Sequence, residues 1–107
     1  MKRLQVLGLA AMAALLAVAS AHAAGDKANG RSLVYTCAGC HGVTGYENVY
    51  PTYHVPRLAG QNEQYIISAL HGYKSGDRTH PTMGAQAQSL SDQEIEDIAA
   101  YLSSITK

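Results

Sequence analysis

The sequence has no tryptophan and no phenylalanine, only two cysteines, and no excess of either charge, with 8 Lys and Arg against 8 Asp and Glu in 107 residues. The even charge argues against a nucleic-acid partner, because a phosphate backbone calls for a basic stripe. The length allows one small domain and leaves no room for a multidomain enzyme. Without Phe or Trp the aromatic stock is seven tyrosines, and beyond position 23 the aliphatic stock is five Leu, five Ile, four Val and one Met. A polypeptide core of that size contributes only a few kcal/mol, so a small domain needs a staple or a bound group at its centre. No segment alternates polar and apolar residues for long enough to suggest a sheet.

The first residues read as a secretory leader. Lys2 and Arg3 form a positive start, Leu4 to Val18 is almost purely apolar, and Ala21-His22-Ala23 is a small-x-small cleavage signal. The apolar run of roughly 15 residues is short for a membrane span of about 20, so cleavage near Ala23 is favoured over an uncleaved anchor. No cysteine follows the cleavage region, which disfavours a lipid anchor there. The expected organisation is a leader over 1–23 and a single domain over 24–107, located in the periplasm. Losing Lys2 and Arg3 leaves 6 basic residues against 8 acidic ones, a net charge of −2.

Three helical segments stand out between polar loops. In the last, from about Asp92 to Ser104, Ser91 and Glu94 make a capping box with Leu90 and Ile95 as a hydrophobic staple, and Ile95, Ile98, Ala99, Leu102 and Ile105 form one stripe. A second helix is expected from Asn62 to Tyr73, with Ile66, Leu70 and Tyr73 inward and Gly76 just past its end. A shorter one runs from Asp26 to Thr36, where Gly30 allows another helix to approach closely. Val43 to Pro56 and Asp77 to Gln88 hold Gly, Pro, Thr and Asn and read as loops.

The chemistry lies at Cys37-Ala38-Gly39-Cys40-His41. Two thiols spaced by two residues at a helix end can each add to a vinyl group on one edge of a haem, and the next residue presents an imidazole to the iron. Two other uses of this pattern exist. An exported Cys-x-x-Cys can be a redox disulfide, but that chemistry usually sits in an α/β pattern. Zinc needs two further ligands from His41, His54, His71 or His80, and no second closely spaced ligand pair is present. Haem attachment accounts for both cysteines and for the missing core filler. One motif provides for one haem.

The chain here resembles the small class I bacterial cytochromes c, of the cytochrome c-553 or c-5 kind, over nearly all of 24–107. The resemblance rests on Cys37 to Gly42 after a short helix, Pro56-Arg57-Leu58-Ala59-Gly60-Gln61, the Tyr-x-x-Gly-x-Arg run from Tyr73 to Arg78, the lone Met83, and the Leu-Ser-Asp helix ending near Tyr101-Leu102. It implies an all-α fold of three to five helices around one covalent haem c, with the first and last helices crossing near Gly30 and Tyr101. It further implies His41 as proximal ligand, Met83 as distal ligand and the Pro56 carbonyl as acceptor for the His41 ring N–H.

Residue chemistry supports this set separately. Met83 is the sole methionine after the leader and lies in the run Pro81-Thr82-Met83-Gly84, which lacks helical periodicity, whereas a packing methionine would sit on an apolar stripe. His54, His71 and His80 compete for the same coordination position, although a solvated loop role for His80 and a helix-surface role for His71 are preferred. Leu58 can press on the porphyrin face or serve as plain core. Arg57 with Tyr46, Tyr50 and Tyr53 can reach the haem propionates or form a polar lid.

The expected function is soluble, single-electron carriage between redox protein partners such as a membrane oxidoreductase or a terminal oxidase, by a monomer without stable membrane insertion. Two axial side chains leave no open position, so no catalytic residue is assigned. Two alternatives are a haem subunit held permanently in an oxidase or dehydrogenase complex, and a pentacoordinate peroxidase or gas-binding protein.

Overall fold

The computed structural model describes residues 24–43 and 55–106, which form five helices and, among the described residues, no strand. In chain order these are α1 (Lys27–Leu33), α2 (Tyr35–His41), α3 (Glu63–Ser75), α4 (Pro81–Gln88) and α5 (Asp92–Ser104). The expected leader over 1–23 and the expected loop positions Tyr46, Tyr50, Tyr53 and His54 lie outside the described residues.

Helix α5 organises the rest. Its capping box forms as the sequence dictates: the Ser91 hydroxyl accepts from the Glu94 amide at 3.1 Å, and the Glu94 carboxylate accepts from the Ser91 amide at 2.8 Å. Ile95, Ile98 and Leu102 are fully buried along its inner stripe, each contributing about 1.5–3 kcal/mol of transfer free energy. Helix α1 crosses α5 at Gly30, where a Cβ would run into the Asp97 backbone and lie 2.9 Å from the Tyr101 Cβ. Only glycine permits that crossing distance. Val34, Val43, Ile66, Ile98, Ala99 and Leu102 form the buried cluster, and Leu58, Leu70 and Leu90 pack on it from the side.

The element boundaries depart from the sequence reading in three places. The first segment is two helices, broken at Val34, and the second of them reaches His41. Val34 is buried and its carbonyl accepts from both the Cys37 and Ala38 amides, so its packing on α5 sets the bend. Helix α3 runs two residues past Tyr73 and stops at Gly76, whose φ of 89° is the left-handed conformation that favours glycine. The largest correction is α4, which occupies part of the expected Asp77 to Gln88 loop. Pro81 opens it at a position where a missing N–H costs nothing, and Ala85, Gln86, Ala87 and Gln88 are good helix formers. Only Ala87 of α4 is buried, so there was no apolar stripe for periodicity to detect.

Candidate cofactor site

Helix α2 spaces Cys37, Cys40 and His41 at i, i+3 and i+4, which places all three on one face. The helix is seven residues long and ends at Gly42, whose φ of 56° is again left-handed and whose amide returns to the Ala38 carbonyl at 3.0 Å. Cys37 is half-buried, Cys40 is exposed, and neither is in a disulfide. Burial pushes the Cys37 thiol above its usual range, the neighbouring Cys40 adds to this, and a hydrogen bond with Thr36 opposes it. A redox disulfide works through a thiol lowered toward the thiolate, so this environment runs against that use of the pair. Among the described residues no three His, Cys, Asp or Glu side chains converge on a point, and the zinc reading finds no ligand set there.

His41 is only 7% exposed. Its Nδ1 lies 2.8 Å from the Pro56 carbonyl oxygen. A ring nitrogen so close to an acceptor that can only accept is protonated and donates, which leaves Nε2 as the ring nitrogen with a free lone pair. The Pro56 to Gln61 segment is held in place for this contact: Gly60 donates its amide to the Leu102 carbonyl of α5 at 2.9 Å, and Gln61 closes a turn on Leu58 at 3.2 Å. Leu58 is half-buried against the core cluster, while Arg57 is exposed. Two thiols and one oriented imidazole on a single helical face fit thioether attachment of a haem with nitrogen ligation of its iron.

Met83 is half-buried in the first turn of α4, a helical rather than a loop position. His80, expected as a solvated loop histidine, is instead half-buried and is the N-cap of α4, its Nδ1 accepting from the Met83 amide at 3.2 Å. His71 stays near the surface, 3.8 Å from the Asp92 carboxylate. Tyr73, expected inward, is half-buried beneath the Arg78 guanidinium, 4.7 Å from its ring centre.

Sequence reasoning passed over Asp97, which is 3% exposed and accepts from the Asp26 amide at 2.7 Å, Asn29 Nδ2 at 2.7 Å and Gln93 Nε2 at 2.9 Å. The one signal available was the Gln93 to Asp97 spacing of four; the contacts to Asp26 and Asn29 span about seventy residues. The role of His80 had a faint signature in a histidine directly preceding proline.

The sequence matches the family model for cytochrome c over residues 27–106. It is 44% identical to a cytochrome c4 of Pseudomonas aeruginosa over 78% of this chain and 40% of that protein. It is 43% identical to cytochrome c-554(548) of Halomonas halodenitrificans over 76% of this chain and 98% of that one. The structure of reduced cytochrome c4 from Pseudomonas stutzeri superposes with a TM-score of 0.66 at 39% identity, covering 78% of this chain and 47% of that chain. The chain thus spans about half the length or less of the cytochromes c4 it matches. Electron transfer is the function of this group of proteins. The chain belongs to the cytochrome c family, as a small class I c-type cytochrome whose covalent cofactor is haem c.

Proposed function

We propose that the protein is an exported, periplasmic single-electron carrier in which His41 and Met83 are the two axial ligands of the haem iron. Haem c supplies a ferric–ferrous couple when bound through Cys37 and Cys40. The observation that carries the reading is the 2.8 Å contact between His41 Nδ1 and the Pro56 carbonyl. It fixes the imidazole tautomer and orientation, and it raises the basicity of Nε2. Met83 offers a soft, neutral thioether, which favours the ferrous state and so a high reduction potential. With His41 and Met83 both holding the iron, no ligand position would be left for a substrate. In this reading Leu58 presses on the porphyrin face and Arg57 reaches a propionate.

Residues 1–23 act as the export leader, on the pattern of Lys2, Arg3, the apolar run and Ala21-His22-Ala23. Among the described residues no helix is long and apolar enough to cross a membrane. Redox partners dock transiently at the thioether edge, where Ala38 and Gly39 are exposed and a Cβ on Gly39 would meet no atom within 4 Å. Such interfaces are small and need only scattered apolar contact.

Optical spectroscopy with potentiometric titration of the purified holoprotein tests this. The oxidised wild type should show a thioether-to-iron charge-transfer band, and Met83→Ala should abolish that band, lower the potential and admit cyanide to the iron. An unchanged potential in Met83→Ala refutes the ligand assignment.

A second reading has one observation behind it: the chain is 35% identical to a protein of Chlorobaculum tepidum named as the cytochrome subunit of sulfide dehydrogenase, over 76% of this chain and 70% of that one. A subunit of this sort would remain with its enzyme on fractionation, whereas a carrier appears free in the periplasmic wash.

A further inference from the structure

We propose that His80 is the positioning residue for Met83, holding the distal ligand through the ligand's own backbone amide; the role rests on the reading of Met83 as axial ligand. Two bonds converge on His80. Its Nδ1 accepts from the Met83 amide at 3.2 Å, and its carbonyl accepts from the Gly84 amide at 2.7 Å. The first turn of α4 contains no acidic residue that could share this work. Capping is ordinarily left to Ser, Thr, Asp or Asn, whose short side chains turn back onto the helix unaided. An imidazole in that place has to be aimed by its surroundings.

The end of α3 supplies the aim. The His80 ring meets the Tyr73 ring edge-on, with centroids 6.4 Å apart and planes at 76°. Tyr73 is in turn covered by the Arg78 guanidinium at 4.7 Å, which also lies 6.0 Å from the Tyr65 ring centre. Arg78 reaches them because the chain reverses at Gly76 and the Arg78 amide closes on the Gly72 carbonyl at 3.0 Å. Gly72 leaves room for this fold-back, since a Cβ there would lie 3.0 Å from Arg78 Cγ. The Tyr73 to Arg78 run therefore builds a tray on α3, the tray orients His80, and His80 fixes the backbone from which the Met83 side chain extends. A side chain that holds the ligand's amide limits how far the thioether can retreat from the iron.

Cyanide affinity of the oxidised holoprotein measures that retreat, because cyanide competes with Met83. In His80→Ala the affinity should rise about fivefold, the equivalent of one ordinary N-cap, with weakening of the thioether-to-iron band. In His80→Asn, whose amide caps without needing the tray, both should return to within about twofold of wild type. Wild-type cyanide affinity and an intact band in His80→Ala overturn the proposal, as does failure of His80→Asn to restore them. If His80→Ala does not fold, the nitrogen-15 spectrum of the wild-type ferrous protein in mildly alkaline solution decides. Nδ1 unprotonated supports the cap, and Nδ1 carrying the proton overturns it. Absence of the thioether band from the wild type would refute Met83 ligation itself, a result separable from an intact band that His80 does not influence.

Discussion

Asp97 shows how one side chain can fix a helix crossing. Its carboxylate collects three N–H donors from two elements and the segment before α1, and these, the Asn29 amide first, hold its pKa below the usual carboxylate range against the opposing effect of burial. A carboxylate depressed in the folded state adds stability that is fully present above its unfolded pKa and is lost as pH falls through its folded value. Asp97→Asn replaces an acceptor by a group that is half donor and should destabilise the protein by about 1–3 kcal/mol near neutral pH in chemical denaturation. The difference between variant and wild type should narrow on acidification. A gap that stays constant or widens in acid would show that the carboxylate charge is not what the crossing uses. Gly30 packs directly on the Asp97 backbone at the same crossing, and there the requirement is for no side chain at all.

At the scale of elements, the helices differ in how openly the chain announces them. Helix α5 has an apolar stripe, a capping box and both termini in its sequence, and its observed span matches that reading. Helix α3 has Asn62 as its cap, accepting from the Tyr65 amide at 2.9 Å, and Gly76 as its stop. Helix α4 has neither an apolar stripe nor an ordinary cap, and its start depends on a histidine that is oriented by another helix. The connection between α4 and α5 is likewise held from outside, by Lys74 Nζ donating to the Leu90 carbonyl at 2.6 Å and lying 3.5 Å from Asp92. Local signals should therefore have local costs. Ser91→Ala removes one side of the capping box and should lower unfolding free energy by about 1 kcal/mol without moving the reduction potential, since α5 supports the site through its packed stripe and the Leu102 carbonyl that holds Gly60, both away from its N-cap. A shift in potential would mean that α5 transmits its N-terminal geometry to the iron.

For the whole molecule, the charge distribution sets how partners approach. Tyr35, at 84% exposure, and Thr36 directly before the attachment motif, and Ala38 and Gly39 within it, are exposed and carry no charge. With a net charge of 0 for the full sequence, or −2 without the proposed leader, electrostatic steering is weak. Electron transfer to a physiological partner should slow by less than about tenfold between low and physiological ionic strength, measured by stopped-flow reduction; a steeper slope would place a charged patch at the docking face.

What the chain alone determined is the chemistry and the helices whose signals are local: Cys37, Cys40 and His41 need only a single helical turn to share a face, and α5 needs only its own cap and stripe. What only the tertiary structure decided are the relations across long separations. The Pro56 carbonyl reaches His41 because Gly60 is tied to Leu102, α1 meets α5 through Asp97, and Met83 stands on a helix whose cap is aimed from α3. None of these has a periodicity to read, because each depends on where two distant segments pack and not on the order of residues within either.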